Sequence, residues 1–246
     1  MSKLYIFGIG GTGSRVLKSL TMLLASGVTI NTTEIVPIII DPDHAAADLT
    51  RTVELMRNYQ RIREELDFNS STQNRFFSTP FNLTTHPSIT MPLHRTQDKT
   101  FAEYIGLDLM KDPNGNFNAN YALAKMLFSD KNLASSMDVG FKGNPNIGSV
   151  VLNQFADSDE FKNITASFDQ GDRIFIISSI FGGTGASGFP LLLKNIRAIS
   201  SQLSGHANVK SAPIGAITVL PYFDVQPDNE KDERKRSEIN SSTFIF

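Results

Sequence analysis

Two glycine-rich turns constrain this chain more than any other feature, because each stands between a strand-like apolar run and a helix-like one. The first is Gly8-Ile9-Gly10-Gly11-Thr12-Gly13, between Leu4–Phe7 and the periodic segment Val16–Leu24. The second is Gly182-Gly183-Thr184-Gly185-Ala186-Ser187-Gly188, between Arg173–Ile180 and Leu191–Ile199. A parallel sheet turns from strand to helix at its carboxyl edge, where the first helical N–H groups lack internal partners and the helix dipole is positive. Glycine lets a polyanion approach that backbone without a Cβ in the way. Two such turns predict two backbones closing on one polyanion, with Gly10, Gly11, Gly13, Gly182, Gly183 and Gly185 at the phosphates and Thr12 and Thr184 adding hydroxyls.

The strands around them are short and continuously apolar. Leu4–Phe7, Ile35–Ile40, Arg173–Ser179 and Ala212–Leu220 read as buried strands. Helical spacing over Ser14–Ser26, between the first two of them, defines a parallel βαβ unit. Ala45–Leu66, Phe101–Met110, Tyr121–Met137, 149–166 and Phe189–Gln202 have helical patterns, while Phe68 to about Lys99, rich in Ser, Thr, Asn and Pro, reads as a surface excursion. The expected fold is α/β, a mostly parallel sheet with helices on both faces, in one domain over 1–246. Residues of about 45–138 form a helical and loop insertion, and about 236–246 begin a further helix.

Composition narrows the chemistry. With 246 residues, 40% apolar and 20% charged, the chain can bury a sizeable core. A net charge of −2 and no basic stripe argue against a nucleic-acid surface. The absence of Cys excludes disulfides, thiolate catalysis and Cys-ligated zinc, and the four His show no ligand-like spacing. The apolar run from Leu4 breaks into glycines before any cleavage pattern, and no run is long enough to span a bilayer, so a cytoplasmic location is expected.

Neither glycine turn carries the Lys-[Ser/Thr] ending of a Walker loop, so phosphate charge is left to amides, hydroxyls and a metal. Asp41 and Asp43 follow the second strand at the usual ligand edge and are spaced to hold Mg2+ against phosphates. The plain alternative is an Asp-Pro turn with Asp43 capping a helix. A third loop, Gly140 to Gly148, contributes Gly143 and Asn144 as candidates near a terminal phosphate.

Taken in order, these segments resemble the GTP-binding domain of the tubulin/FtsZ family. Gly182–Gly188 is similar to the family's GGGTG[ST]G motif, with Phe181 at the first glycine position and Ala186-Ser187 in place of a single residue. Gly8–Gly13 is similar to its first glycine loop, and Gly143-Asn144-Pro145-Asn146-Ile147-Gly148 to the loop that senses the γ-phosphate. The resemblance implies GTP or GDP with Mg2+, Asp224 near the ribose, and Asn240 reading guanine. It also implies self-association into protofilament-like assemblies, with hydrolysis completed by the adjoining subunit. The region of about 45–138 is longer than in FtsZ and would suit a protein partner. The family's second domain has no counterpart in these residues.

Three other readings compete. Gly8–Ser14, Asp41-Pro42-Asp43 and Asp48-Leu49-Thr50-Arg51 loosely resemble an adenylating enzyme of the ThiF/MoeB type, in which Arg51 would reach ATP. A plain NAD-binding Rossmann domain would use the first turn and Asp41. A non-enzymatic interaction module with a vestigial pocket is the remaining class.

Overall fold

The computed structural model describes residues 2–43, 45–66, 68, 75–83, 89–91, 93–96, 98–137, 140–141, 143–199 and 204–220. Strand β1 (Leu4–Ile9) runs directly into helix α1 (Gly10–Ala25), and β2 (Ile35–Ile40) follows. Helices α2 (Ala47–Glu64), α3 (Phe101–Tyr104), α4 (Ala119–Leu127) and α5 (Asp130–Leu133) occupy the long stretch after β2. Then come α6 (Pro145–Leu152), α7 (Asp159–Ala166), β3 (Arg173–Ser179), α8 (Gly183–Ala198), α9 (Ser204–Ser211) and β4 (Ile214–Val219).

The sheet order is β2-β1-β3-β4, with every strand pair parallel. This is the α/β architecture expected of continuously apolar strands, whose two faces both need cover. Alternation along the strands divides the core. Tyr5, Phe7, Ile9, Val36, Ile38, Ile40, Ile174 and Ile176 pack with residues of α6, α7, α8 and α9. Ile6, Ile35, Ile39 and Ile177 pack with Leu17 and Leu24 of α1 and Leu49, Met56 and Tyr59 of α2.

The chain leaves β1 toward β2 on one side and returns to β3 on the other. The point where strand order reverses therefore lies between the carboxyl ends of β1 and β3, where open α/β sheets form their ligand crevice.

Three features depart from the sequence reading. Helices α1 and α8 begin inside the glycine turns rather than after them. Glycine's poor helix propensity hides these starts, but there is no room for side chains: a Cβ on Gly13 would lie 2.3 Å from the carbonyl carbon of Gly8, and one on Gly185 2.5 Å from the Ser179 oxygen. The expected surface excursion is in part an edge cover. Ile35 and Ile39 donate to Pro80 and Ile89, and accept from Asn82 and Met91, while Phe81, Ile89, Met91 and Leu93 are buried. The exposed edge of β2 demands such cover, and scattered apolar residues in a polar stretch give little periodic signal. Finally β4 is half exposed rather than buried.

The helical patterns are also more broken than expected. Gly106, at φ +66°, interrupts Phe101–Met110, and Ser129 and Ser158 start new helices within the longer runs read from sequence.

Candidate functional site

Three helix N-termini meet at the crevice. A Cβ built on Gly10 would lie 3.5 Å from the Thr184 Cβ and 3.9 Å from the Gly185 nitrogen, so α1 and α8 begin side by side. A Cβ on Gly183 would lie 3.1 Å from the Asn144 nitrogen and 3.3 Å from that of Gly143, which sets the α6 N-terminus against α8. A Cβ on Gly140 would lie 3.9 Å from Thr184 Oγ1 and 3.7 Å from Pro42 Cγ, which brings in the turn after β2. Segments remote in sequence thus converge at the carboxyl ends of the strands.

None of the three helices is capped by a side chain. Ile9, Asn144 and Gly182 hold the N-cap positions of α1, α6 and α8 without a side-chain capping bond, and none has an acid in its first turn. Hydroxyls nearby serve carbonyls instead. Ser178 Oγ donates to the Gly185 oxygen at 2.9 Å, and Ser187 Oγ donates to the Gly183 oxygen at 2.6 Å. These bonds pin the α8 turn and leave its first amides facing the crevice end of the helix. Asn144 donates through its backbone (2.8 Å) and Nδ2 (3.2 Å) to the Phe141 oxygen, closing the loop before Pro145. Pro145 at the first helical position suits α6, because its missing N–H would have no partner there.

The candidate glycines divide by what limits them. Gly13 and Gly185 are small because β1 and β3 press on them. Gly183 packs against Phe141, whose Cβ would lie 2.8 Å from an added methyl. Gly10, at φ +67°, and Gly143, at φ +74°, adopt backbone that favours glycine. Gly11 and Gly182 are different again: a Cβ there would meet nothing nearer than Arg15 Nη2 at 3.7 Å and Ser179 Oγ at 3.6 Å respectively. Their smallness has no packing cause. Thr12 and Thr184 are half-buried beside them.

Asp41 and Asp43 form two successive Asx turns. Asp41 Oδ1 accepts from the Asp43 N–H at 3.0 Å, and Asp43 Oδ1 accepts from the Ala45 N–H at 3.1 Å. The N-cap of α2 is Ala46, so Asp43 shapes the approach to that helix without capping it. Asp41 is only 6% exposed, and burial pushes its carboxyl up to about 6, against the lowering effect of the Asp43 N–H. Among the described residues no group of three or more His, Asp or Glu could hold a metal alone. Two carboxylates fit Mg2+ only where phosphate oxygens and water complete the shell, which is how that ion usually binds.

Arg15 is a candidate the sequence reading missed. It stands four residues after Gly11, hence on the same helix face, and its Nε donates to Asp48 Oδ2 at 2.7 Å. That bond holds the Asp48 carboxyl below its usual range. The pair places a cation at the crevice rim and occupies Asp48, while Arg51 is exposed on α2. Asp224 and Asn240 lie outside the described residues.

No protein-family model matches this chain, and a search of curated proteins finds no match to it.

Proposed function

We propose that the crevice between β1 and β3 binds the phosphates of a guanine nucleotide, GTP or GDP, with Mg2+ between those phosphates and Asp41 and Asp43. The observation that carries this reading is the convergence of α1, α6 and α8, each beginning without a side-chain cap and without an acid in its first turn. Each N-terminus leaves donors and a partial positive charge. Three aimed at one place favour a multiply charged anion over a single carboxylate. Thr12 and Thr184 supply hydroxyls, and Arg15 a cation at the rim.

The choice of guanine rests on the order of the loops, which resembles that of the tubulin/FtsZ family. In this reading Gly143 and Asn144 sit near the terminal phosphate, Asp224 near the ribose and Asn240 at the base. Bound Mg2+ would polarise the phosphoryl oxygens. The chain's own part is to bind and orient the phosphates and to stabilise developing charge with fixed amides. The intact protein assembles head to tail in the cytoplasm, and the adjoining subunit completes hydrolysis.

Titration of labelled GTP, ATP and NAD against the purified chain, with and without Mg2+, tests the reading. A Mg2+-dependent preference for GTP, and a guanine nucleotide retained through purification, are expected. Preference for ATP with pyrophosphate exchange would replace it by the adenylating reading. Binding of none of the three would overturn it.

A further inference from the structure

Helix α4 (Ala119–Leu127) is apolar on its inner and outer sides alike. Apart from the Tyr121 hydroxyl, only Asn120 and Lys125 in it are polar. The inner side meets the protein: Ala124 is buried in the core, and Tyr121 and Phe128 pack against it. Residues three and four apart share a helix face, so Ala119, Leu123, Met126 and Leu127 lie together on the opposite side, with Asn120 and Lys125 at its borders. Leu123 is 49% exposed, Met126 76% and Leu127 58%. The apolar surface continues at the start of the helix. The Asn118 N–H donates to the Met110 oxygen, which brings the 84% exposed Leu109 alongside. Phe117, 51% exposed, stacks on Tyr121 there. A helix that is apolar all round is normally buried, and an apolar patch of this kind marks a contact site.

We infer that α4 is the contact face of a dimer of this chain, two copies of the helix packing antiparallel about a two-fold axis at Leu123. Three observations favour a second copy as the occupant. First, the face is complementary to itself. Ala119 precedes Leu123 by four residues and Leu127 follows it by four. A two-fold axis at Leu123 therefore sets the small Ala119 of each copy against the large Leu127 of the other, the alternation that close packing needs. Second, the area suffices. The exposed fractions of Leu109, Phe117, Leu123, Met126 and Leu127 amount to about three whole residues. At roughly 160 Å² each, the low end of the aromatic range, one copy offers about 500 Å² and a pair about 1,000 Å². That reaches the floor for a specific interface and stays below the standard size, as suits a weak, reversible dimer. Third, the face carries no charge, so two copies meet without repulsion. A lipid surface would call for basic residues along the polar border, but Lys125 is the only one in α4 and is paired with Asp130.

Sedimentation equilibrium of the full chain, without nucleotide and up to about 300 µM, is expected to show a monomer–dimer equilibrium with a Kd of about 10–100 µM. Leu123→Glu/Leu127→Glu is expected to weaken it at least tenfold. Both side chains are exposed in a single copy and Glu suits a helix, so the thermal midpoint of the monomer should hold. The chain has no Cys, which allows an independent test. Leu123→Cys, at the axis, would face its own copy and is expected to form disulfide-linked dimers at least tenfold faster than Met22→Cys, a control on α1 that is 59% exposed. A chain that stays monomeric at 300 µM would leave the face to a different partner and overturn the inference. A dimer that the double substitution leaves intact, or equal disulfide rates at 123 and 22, would overturn it too. No readout involves a nucleotide, so this inference stands or falls apart from the proposed function.

Discussion

Helices at the crevice and helices at the periphery of this protein begin in opposite ways. At the periphery, Thr100 and Glu103 form a capping box on α3, Asn118 accepts from the Asn120 and Tyr121 N–H groups on α4, Ser129 accepts from Asn132 on α5, and Ser158 from Phe161 on α7. Three of these four also have acids in the first turn. At the crevice, α1, α6 and α8 have neither device. A side-chain cap is worth about 1 kcal/mol. Helix α2 also lacks a side-chain cap but carries Asp48 in its first turn, so among α1 to α8 only the three helices that meet have neither device.

That contrast can be attacked from several directions. The harshest substitution is Gly13→Ala. Its Cβ would sit 2.3 Å from backbone carbon of Gly8, and the clash should destabilise the fold by about 3 kcal/mol or more, read as a large drop in thermal midpoint. Gly11→Ala, with open space around it, should leave the midpoint nearly unchanged. Equal effects at the two positions would erase the division between packing glycines and crevice glycines.

The most discriminating substitution is Gly182→Asp. An acid at the N-cap of α8 stabilises an isolated helix end by some tenths of a kcal/mol, so the melting temperature should hold or rise. The same carboxylate repels phosphate, and GTP affinity should fall about 100-fold, close to 2.7 kcal/mol. Loss of stability together with unchanged nucleotide affinity would mean that this N-terminus faces no anion.

Asp41 gives a pH test. Its folded carboxyl lies at about 6, above the ordinary 3.8, because burial disfavours the charge. The folded state then holds the proton more tightly than the unfolded one. Asp41 therefore makes stability fall as pH rises through the interval from about 4 to 6, and the loss persists above it. Its full size is about 3 kcal/mol at roughly 1.36 kcal/mol per pH unit. Asp41→Asn keeps an oxygen for the Asp43 N–H. It should flatten that slope in denaturant titrations and stabilise the protein at pH 8 by up to this amount. It should also weaken the Mg2+ dependence of nucleotide binding. A variant no more stable than the parent at pH 8 would remove the claim that Asp41 is kept at a cost to the fold.

The smallest effect belongs to the periphery. Ser158→Ala removes the α7 cap and should cost about 1 kcal/mol in chemical denaturation, with GTP affinity unaltered. A change in affinity would blur the boundary between the two kinds of helix start.

Much of this arrangement was legible in the sequence. Continuous apolar runs marked β1, β2 and β3, and the intervening helical periodicity implied parallel pairing. The glycine turns marked the starts of α1 and α8, which the fold brings side by side. What the sequence obscured has physical causes. Glycines read as turns because they are poor helix formers, yet Gly13 and Gly185 lie within helices that strands press against. Phe81, Ile89 and Met91 are buried along the β2 edge by contacts far from them in sequence, and no local periodicity records such contacts. The strand β4 has an apolar sequence but lies half exposed, because burial depends on what covers a face.

By itself, then, the amino-acid order determined the strand and helix alternation and the chemistry available at each turn, since both depend on neighbours within a few residues. Tertiary structure alone decided which glycines are small to admit a strand and which border open space. It also decided that Gly10, Gly140, Asn144 and Thr184 meet. Such proximity is created when distant backbones pack on one sheet, and local spacing carries no record of it.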